Sequence, residues 1–183
     1  QMSNMSHSPY GVLKRVGELY TQTLKGLTVK FWNVYGIEKD HEKAHVITDF
    51  IKKGFEEGSF EMLTDGTEER QFLYAEDCCE ALETIMESYS DFKPTDPLHV
   101  TSFNSHSIKY VAETIQGQFN LLGADVDKKY MDVSIKPGLA KDSVQMDKRN
   151  EADNYILGWW QPKTGLDEGI IKVFNEMKKE YLK

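Results

Sequence analysis

The run LTVKFWNVY, residues 27–35, is β-branched and aromatic, and Gly36 ends it. Val29, Phe31 and Val34 fall on both faces of an extended chain, which suits a strand covered on both sides in a parallel sheet. Parallel neighbours need a crossover between them, and a helix is the usual one. The sequence supplies such helices. AHVITDFIKKGFEEG places Ile47, Phe50, Ile51 and Phe55 on one helical face, and EDCCEALETIMESY is amphipathic with acids in its first turn. Ser107 can cap SIKYVAETIQGQFNLLG, which is predicted to stop at Gly123, and LDEGIIKVFNEMKKEYL reads as the last helix. Residues 9–25 also read as a helix: Pro9 suits a first turn, and Tyr10, Leu13, Val16, Gly17, Tyr20 and Leu24 recur near a 3.6 period. SFEML, QFLYA, PLHVTSF and KKYMDVSI are predicted strands, and RNEADNYILGWW holds a short helix. Strands alternate with helices, so the class is α/β.

The 183 residues suffice for one domain with a real core. The formal net charge is -8, and the Lys and Arg residues form no basic block, which argues against nucleic acid as a partner. No apolar run approaches the roughly 20 residues that span a membrane, and no secretory signal opens the chain. Gln1-Met2 reads as a cut end. Cys78 and Cys79 are adjacent in a predicted helix, where they pair poorly with each other. Two lone thiols point to a reducing compartment and a cytoplasmic protein.

Three short patterns carry possible chemistry. Tyr10 and Lys14 stand four apart on a predicted helix and share a face. A free Tyr titrates near pH ~10, too high for a base at neutral pH, and a fixed ammonium beside it favours the phenolate. Tyr35 and Lys39 repeat the spacing, but across Gly36 and into a loop. HEKAH, residues 41–45, is a literal H-E-x-x-H, with Glu61 downstream as a conceivable third zinc ligand. A zincin needs both His on one face of a continuous buried helix. Here Gly36, Lys39 and Asp40 precede the motif and Lys43 sits inside it, so the segment reads as a solvated loop and first turn, with no metal site.

Four motifs in series resemble a known family. SPYGVLKRVGE is similar to S-P-Y-G-x-S-K-x-x-x-E, and KFWNVYGI to R-x-x-N-V-Y-G-P. ERQFLYAEDCCEAL is similar to x-R-D-F-x-Y-V-x-D-x-x-x-A, and LGWWQPKTGLDEGI to L-G-W-x-P-x-x-x-L-x-E-G-I. Their order and spacing resemble the extended short-chain dehydrogenase/reductases that act on nucleotide sugars, the NAD-dependent epimerase/dehydratase family. Leu13, Lys30, Ile37 and Gln71 depart from the motifs, whereas Tyr10, Lys14, Glu18, Asn33, Tyr35, Gly36, Arg70, Phe72, Tyr74 and Asp77 match.

The resemblance implies the C-terminal half of a Rossmann-type enzyme with its substrate-binding lobe. Residues 8–36 would hold the catalytic helix and a Rossmann strand, residues 97–102 a further Rossmann strand, and 37–183 mainly the substrate lobe. Tyr10 would deprotonate a sugar hydroxyl, while Lys14 would lower the Tyr pKa and hold the nicotinamide ribose. Asn33 and Arg70 would bind the diphosphate of a nucleoside-diphosphate sugar, and Lys141 is a further candidate for it. The cofactor of the whole enzyme would be NAD or NADP. The sequence has no G-x-x-G-x-x-G turn, so the chain alone is expected not to bind it. An uncovered sheet edge would favour self-association or a homodimer. Two alternatives remain at this point: a non-catalytic sugar-nucleotide-binding or interaction domain, and a zinc hydrolase using HEKAH.

Overall fold

The computed structural model describes residues 9–40, 44–93, 97–140 and 151–182. Helix α1 (Pro9–Thr23) leads into the predicted strand, which breaks at Trp32 into β1 (Val29–Phe31) and β2 (Asn33–Tyr35). The break lets one segment serve two sheets. β1 pairs in parallel with β5 (Leu98–Val100), Val29 opposite Leu98. β2 pairs in parallel with β4 (Glu69–Tyr74), Asn33 opposite Phe72. On the other side of β4 runs β6 (Ser105–Ser107), antiparallel, with Arg70 opposite His106. A third sheet pairs β3 (Ser59–Glu61) with β7 (Ser134–Lys136). Residues 27–34 and 97–102, each expected to supply a Rossmann strand, pair directly and in parallel through β1 and β5.

β4 is the wall between two cores. Phe72 and Tyr74 face the larger one, with Tyr35 and the apolar sides of α2 (Val46–Glu57), α4 (Ile108–Asp125) and α5 (Leu166–Tyr181). Leu73 points the other way, to Leu98, Val100, Ile156, Trp160 and the buried face of α3 (Ala75–Glu87). This alternation is the period-2 reading of a strand buried on both faces. The larger core is aromatic at its centre: the Phe119 ring lies 4.8 Å from Phe55 and 4.9 Å from Phe174. A Cβ at Gly54 would run into that ring, so only glycine lets α2 approach α4 so closely.

Several local expectations change. Ser107 caps α4 as expected, accepting from the Tyr110 amide at 3.0 Å. α4 nevertheless passes Gly123 and ends at Asp125; the glycine serves packing instead, lying against Met131 where a Cβ would clash. Lys128–Asp132 is a 3-10 turn rather than a strand: the Asp127 side chain accepts from the Lys129 amide and Tyr130 is buried.

The largest difference concerns α1. Its periodic apolar stripe predicts a buried face, yet Tyr10, Leu13, Val16 and Tyr20 are all exposed, from 55% to 71%. Of the helix's fifteen residues only Glu18 is buried. The one buried side chain of α1 is therefore charged rather than apolar.

Candidate functional site

The site is built on the β2–β4–β6 sheet. Register partners in neighbouring strands project to the same side, as do residues two apart in one strand. Asn33 is opposite Phe72, and Arg70 lies two residues before Phe72 on β4. Asn33 and Arg70, far apart in sequence, thus share one face on adjacent strands. His106, opposite Arg70, extends the same row onto β6. Asn33 Nδ2 donates to the Gln71 carbonyl at 3.1 Å, which holds its amide against β4. Arg70 Nη1 donates to the Glu69 carbonyl at 2.7 Å, and its side chain is half-buried. A guanidinium and an amide in one row can bind the oxygens of a phosphate group, the guanidinium by two parallel bonds.

Sequence reasoning missed β6 and with it His106. The segment SHS has no apolar alternation, and its strand exists only as a ladder on β4. The His106 ring stacks on Tyr110, centroids 5.1 Å apart, and the Tyr110 hydroxyl donates to Asp167, 3.0 Å from each carboxylate oxygen. These residues line an open groove with Asn104 and the first turn of α5.

Tyr10 and Lys14 lie on α1, with Lys14 Nζ 5.4 Å from the Tyr10 ring centroid. They share a face and both are open to solvent, so a ligand can reach the phenol. The second Tyr-Lys spacing is not equivalent. Tyr35 is buried, its hydroxyl donates to the Leu166 carbonyl at 3.3 Å, and a Cβ at Gly169 would sit on that hydroxyl. Burial above all, with Tyr74 and nearby carboxylates adding, pushes the Tyr35 phenol far above its ordinary value, so it is no base at neutral pH. Lys141 lies outside the described residues, and so does His41 of HEKAH. His45 is spent on Glu38: its amide donates to Glu38 Oε2 at 2.9 Å and its Nδ1 contacts Glu38 Oε1. Burial would raise the Glu38 pKa, but the His45 contacts outweigh it and hold the carboxyl below its usual range. Among the described residues, no three His, Cys, Asp or Glu side chains converge as metal ligands.

Asp77 joins the sheet to the last helix. Buried at the start of α3, it accepts from the Lys163 and Thr164 amides at 3.2 and 2.8 Å and so fixes the turn before α5. That explains the matching Asp in the third motif structurally: it pins the segment that bears the fourth. No helix is long and apolar enough to cross a membrane among the described residues.

Comparison with known proteins agrees with this architecture. The model of the NAD dependent epimerase/dehydratase family matches residues 3–101. A putative UDP-glucose 4-epimerase of Methanocaldococcus jannaschii is 29% identical over 93% of this chain and 53% of its own length. Among solved structures, an epimerase of Methanothermobacter thermautotrophicus superposes on 98% of this chain and 53% of its own, with a TM-score of 0.77 and 19% identity. A UDP-glucose 4-epimerase of Thermotoga maritima, solved with UDP-glucose, covers 96% of this chain and 55% of its own, with a TM-score of 0.72 and 22% identity. The chain thus spans about half the length of these relatives.

Proposed function

The chain belongs to the NAD dependent epimerase/dehydratase family, and from that premise we propose that it carries the sugar-nucleotide site and the proton-transfer pair of a nucleotide-sugar epimerase or dehydratase. The observation that carries this reading is the shared face of Asn33 and Arg70 on β2 and β4. A diphosphate laid across the two strands would accept from the guanidinium and the amide together. Solved relatives bear UDP-glucose, and one bears it with NAD, which supports this choice of ligand class.

NAD, when bound, would take a hydride from the sugar carbon and return it. Of the groups that would hold NAD, this chain offers Lys14 toward the nicotinamide ribose. The glycine-rich strand–turn–helix that would seat the pyrophosphate is not in its sequence. Tyr10 would take the proton from the sugar hydroxyl, with the Lys14 ammonium favouring the phenolate. In this division residues 8–36 carry the chemistry and residues 37–183 mainly the substrate. Lys141 is a further diphosphate ligand in the same reading.

Calorimetric titration of this chain tests the division. UDP-glucose is expected to bind and NAD to give no micromolar binding, because the pyrophosphate contacts are missing. Micromolar NAD binding would overturn the second half; absence of binding by UDP-, GDP- and dTDP-sugars alike would overturn the first.

The exposed stripe of α1 supports self-association as part of the same reading, since contiguous apolar surface on a lone domain is covered by a partner more often than left wet. The β1–β2 segment adds an edge able to pair with a second copy. Sedimentation is expected to show weight-average mass rising with concentration. A concentration-independent monomer would contradict it.

A further inference from the structure

α1 carries both residues assigned to proton transfer, yet its apolar side chains point to solvent. One contact that ties it to the sheet is electrostatic. Glu18 is 7% exposed, with Arg15 Nη1 2.7 Å from Oε2 and Lys30 Nζ 3.1 Å from Oε1. Arg15 lies on the same helix and cannot tie it to anything else. Lys30 lies at the centre of β1, in register with His99 of β5, so its backbone is held in the parallel ladder. Its ammonium is therefore a fixed point to which a carboxylate on α1 can be pinned.

We infer that Glu18 is a positioning residue: its buried carboxylate, paired with Lys30 across the gap between α1 and β1, is a latch that ties α1 to the sheet and so sets where Tyr10 and Lys14 stand. Tyr10, Lys14 and Glu18 stand at intervals of four and follow one side of the helix, so a pin at Glu18 fixes the rotation of α1 as well as its height. Leaving this buried carboxylate without its partner is costly, so loss of the pair loosens the hold on the helix. Burial pushes the Glu18 carboxyl up, but Arg15 and Lys30 outweigh it and hold it below the ordinary carboxylate range, as expected of a working pair. The smaller cluster on the far side of β1 keeps the strand itself in place through Val29 and Leu27.

The consequence for chemistry rests on the assignment of Tyr10 and Lys14; the latch does not. Amide hydrogen exchange on the intact chain reads it without any turnover. In Glu18→Gln and in Lys30→Met, residues 9–23 are expected to exchange about tenfold faster or more, while residues 108–125 of α4 keep their protection. The double variant is expected to be no worse than either single one, because the two remove the same interaction. Lys30→Arg is expected to restore wild-type rates, a rescue that mere packing of the lysine stem does not predict. Wild-type α1 exchanging like an unprotected peptide would overturn the inference, as would unchanged rates in either single variant. So would Lys30→Arg behaving as Lys30→Met, or loss of protection spreading through α4. Failure of the latch leaves the chemical roles of Tyr10 and Lys14 open, and failure of those roles leaves the latch standing.

Discussion

Replacing Tyr10 with Phe is expected to lower turnover of a nucleotide sugar by about a hundredfold or more, the usual scale of a lost acid–base group. The measurement is steady-state turnover with NAD in the longest protein that carries this sequence. The expectation follows from geometry. Tyr10 sits on the first turn of α1, open to solvent, with the Lys14 ammonium 5.4 Å from its ring. The substitution removes only the hydroxyl, from a side chain that contributes nothing to the core. Stability should therefore be unchanged while kcat falls, and the affinity for the sugar nucleotide should hold, because the diphosphate ligands are on other elements. A variant with wild-type kcat would remove Tyr10 from proton transfer. A variant with lost affinity and unchanged kcat would make it a binding residue instead.

Phe119→Ala is expected to cost about 3–5 kcal/mol of folding stability, the range for emptying an aromatic site in a packed core. Phe119 is fully buried, and its ring meets Phe55, Phe174 and Tyr130 at centroid distances of 4.8, 4.9 and 6.1 Å. Two other helices and a turn converge on it, so neighbours cannot all relax into the space. The Gly54 Cα, which the ring overlies, has no side chain to refill it. Chemical denaturation should show the loss as a shifted midpoint at unchanged slope. A shift under about 1 kcal/mol would mean that the site collapses freely and that the aromatic cluster is not the keystone of the larger core.

The parts of the fold legible in the sequence were those written in side-chain chemistry. Val29, Phe31 and Val34 announced a strand, whereas its place beside Leu98–Val100 in one parallel sheet came from the family resemblance. Ser107 announced its cap. β6 was not legible, because its polar residues become a strand only through hydrogen bonds to Glu69, Arg70 and Gln71. The buried side of α1 was not legible for the opposite reason. Its apolar stripe has the period of a buried face, yet the side chain it buries is Glu18, which pairs with Lys30 on a different element. Glu18 matched a motif letter without any hint that it would be the buried residue of its helix. The site residues divide in the same way: that Tyr10 and Lys14 share a face was readable from helical spacing, while the role proposed for them came from the family resemblance. That Asn33 and Arg70 share a face came only from the register of β2 on β4.

The central claim is that this shared face holds the diphosphate of a nucleotide sugar. Its most direct test is titration of UDP-glucose into wild-type, Arg70→Ala and Arg70→Lys proteins. Arg70→Ala is expected to weaken binding by about 1.5–3 kcal/mol, the scale of a hydrogen bond to a charged group. Arg70→Lys should recover only part of that loss, because an ammonium lacks the planar fork. Equal affinity in wild type and Arg70→Ala would contradict the claim and move the diphosphate off the β2–β4 face.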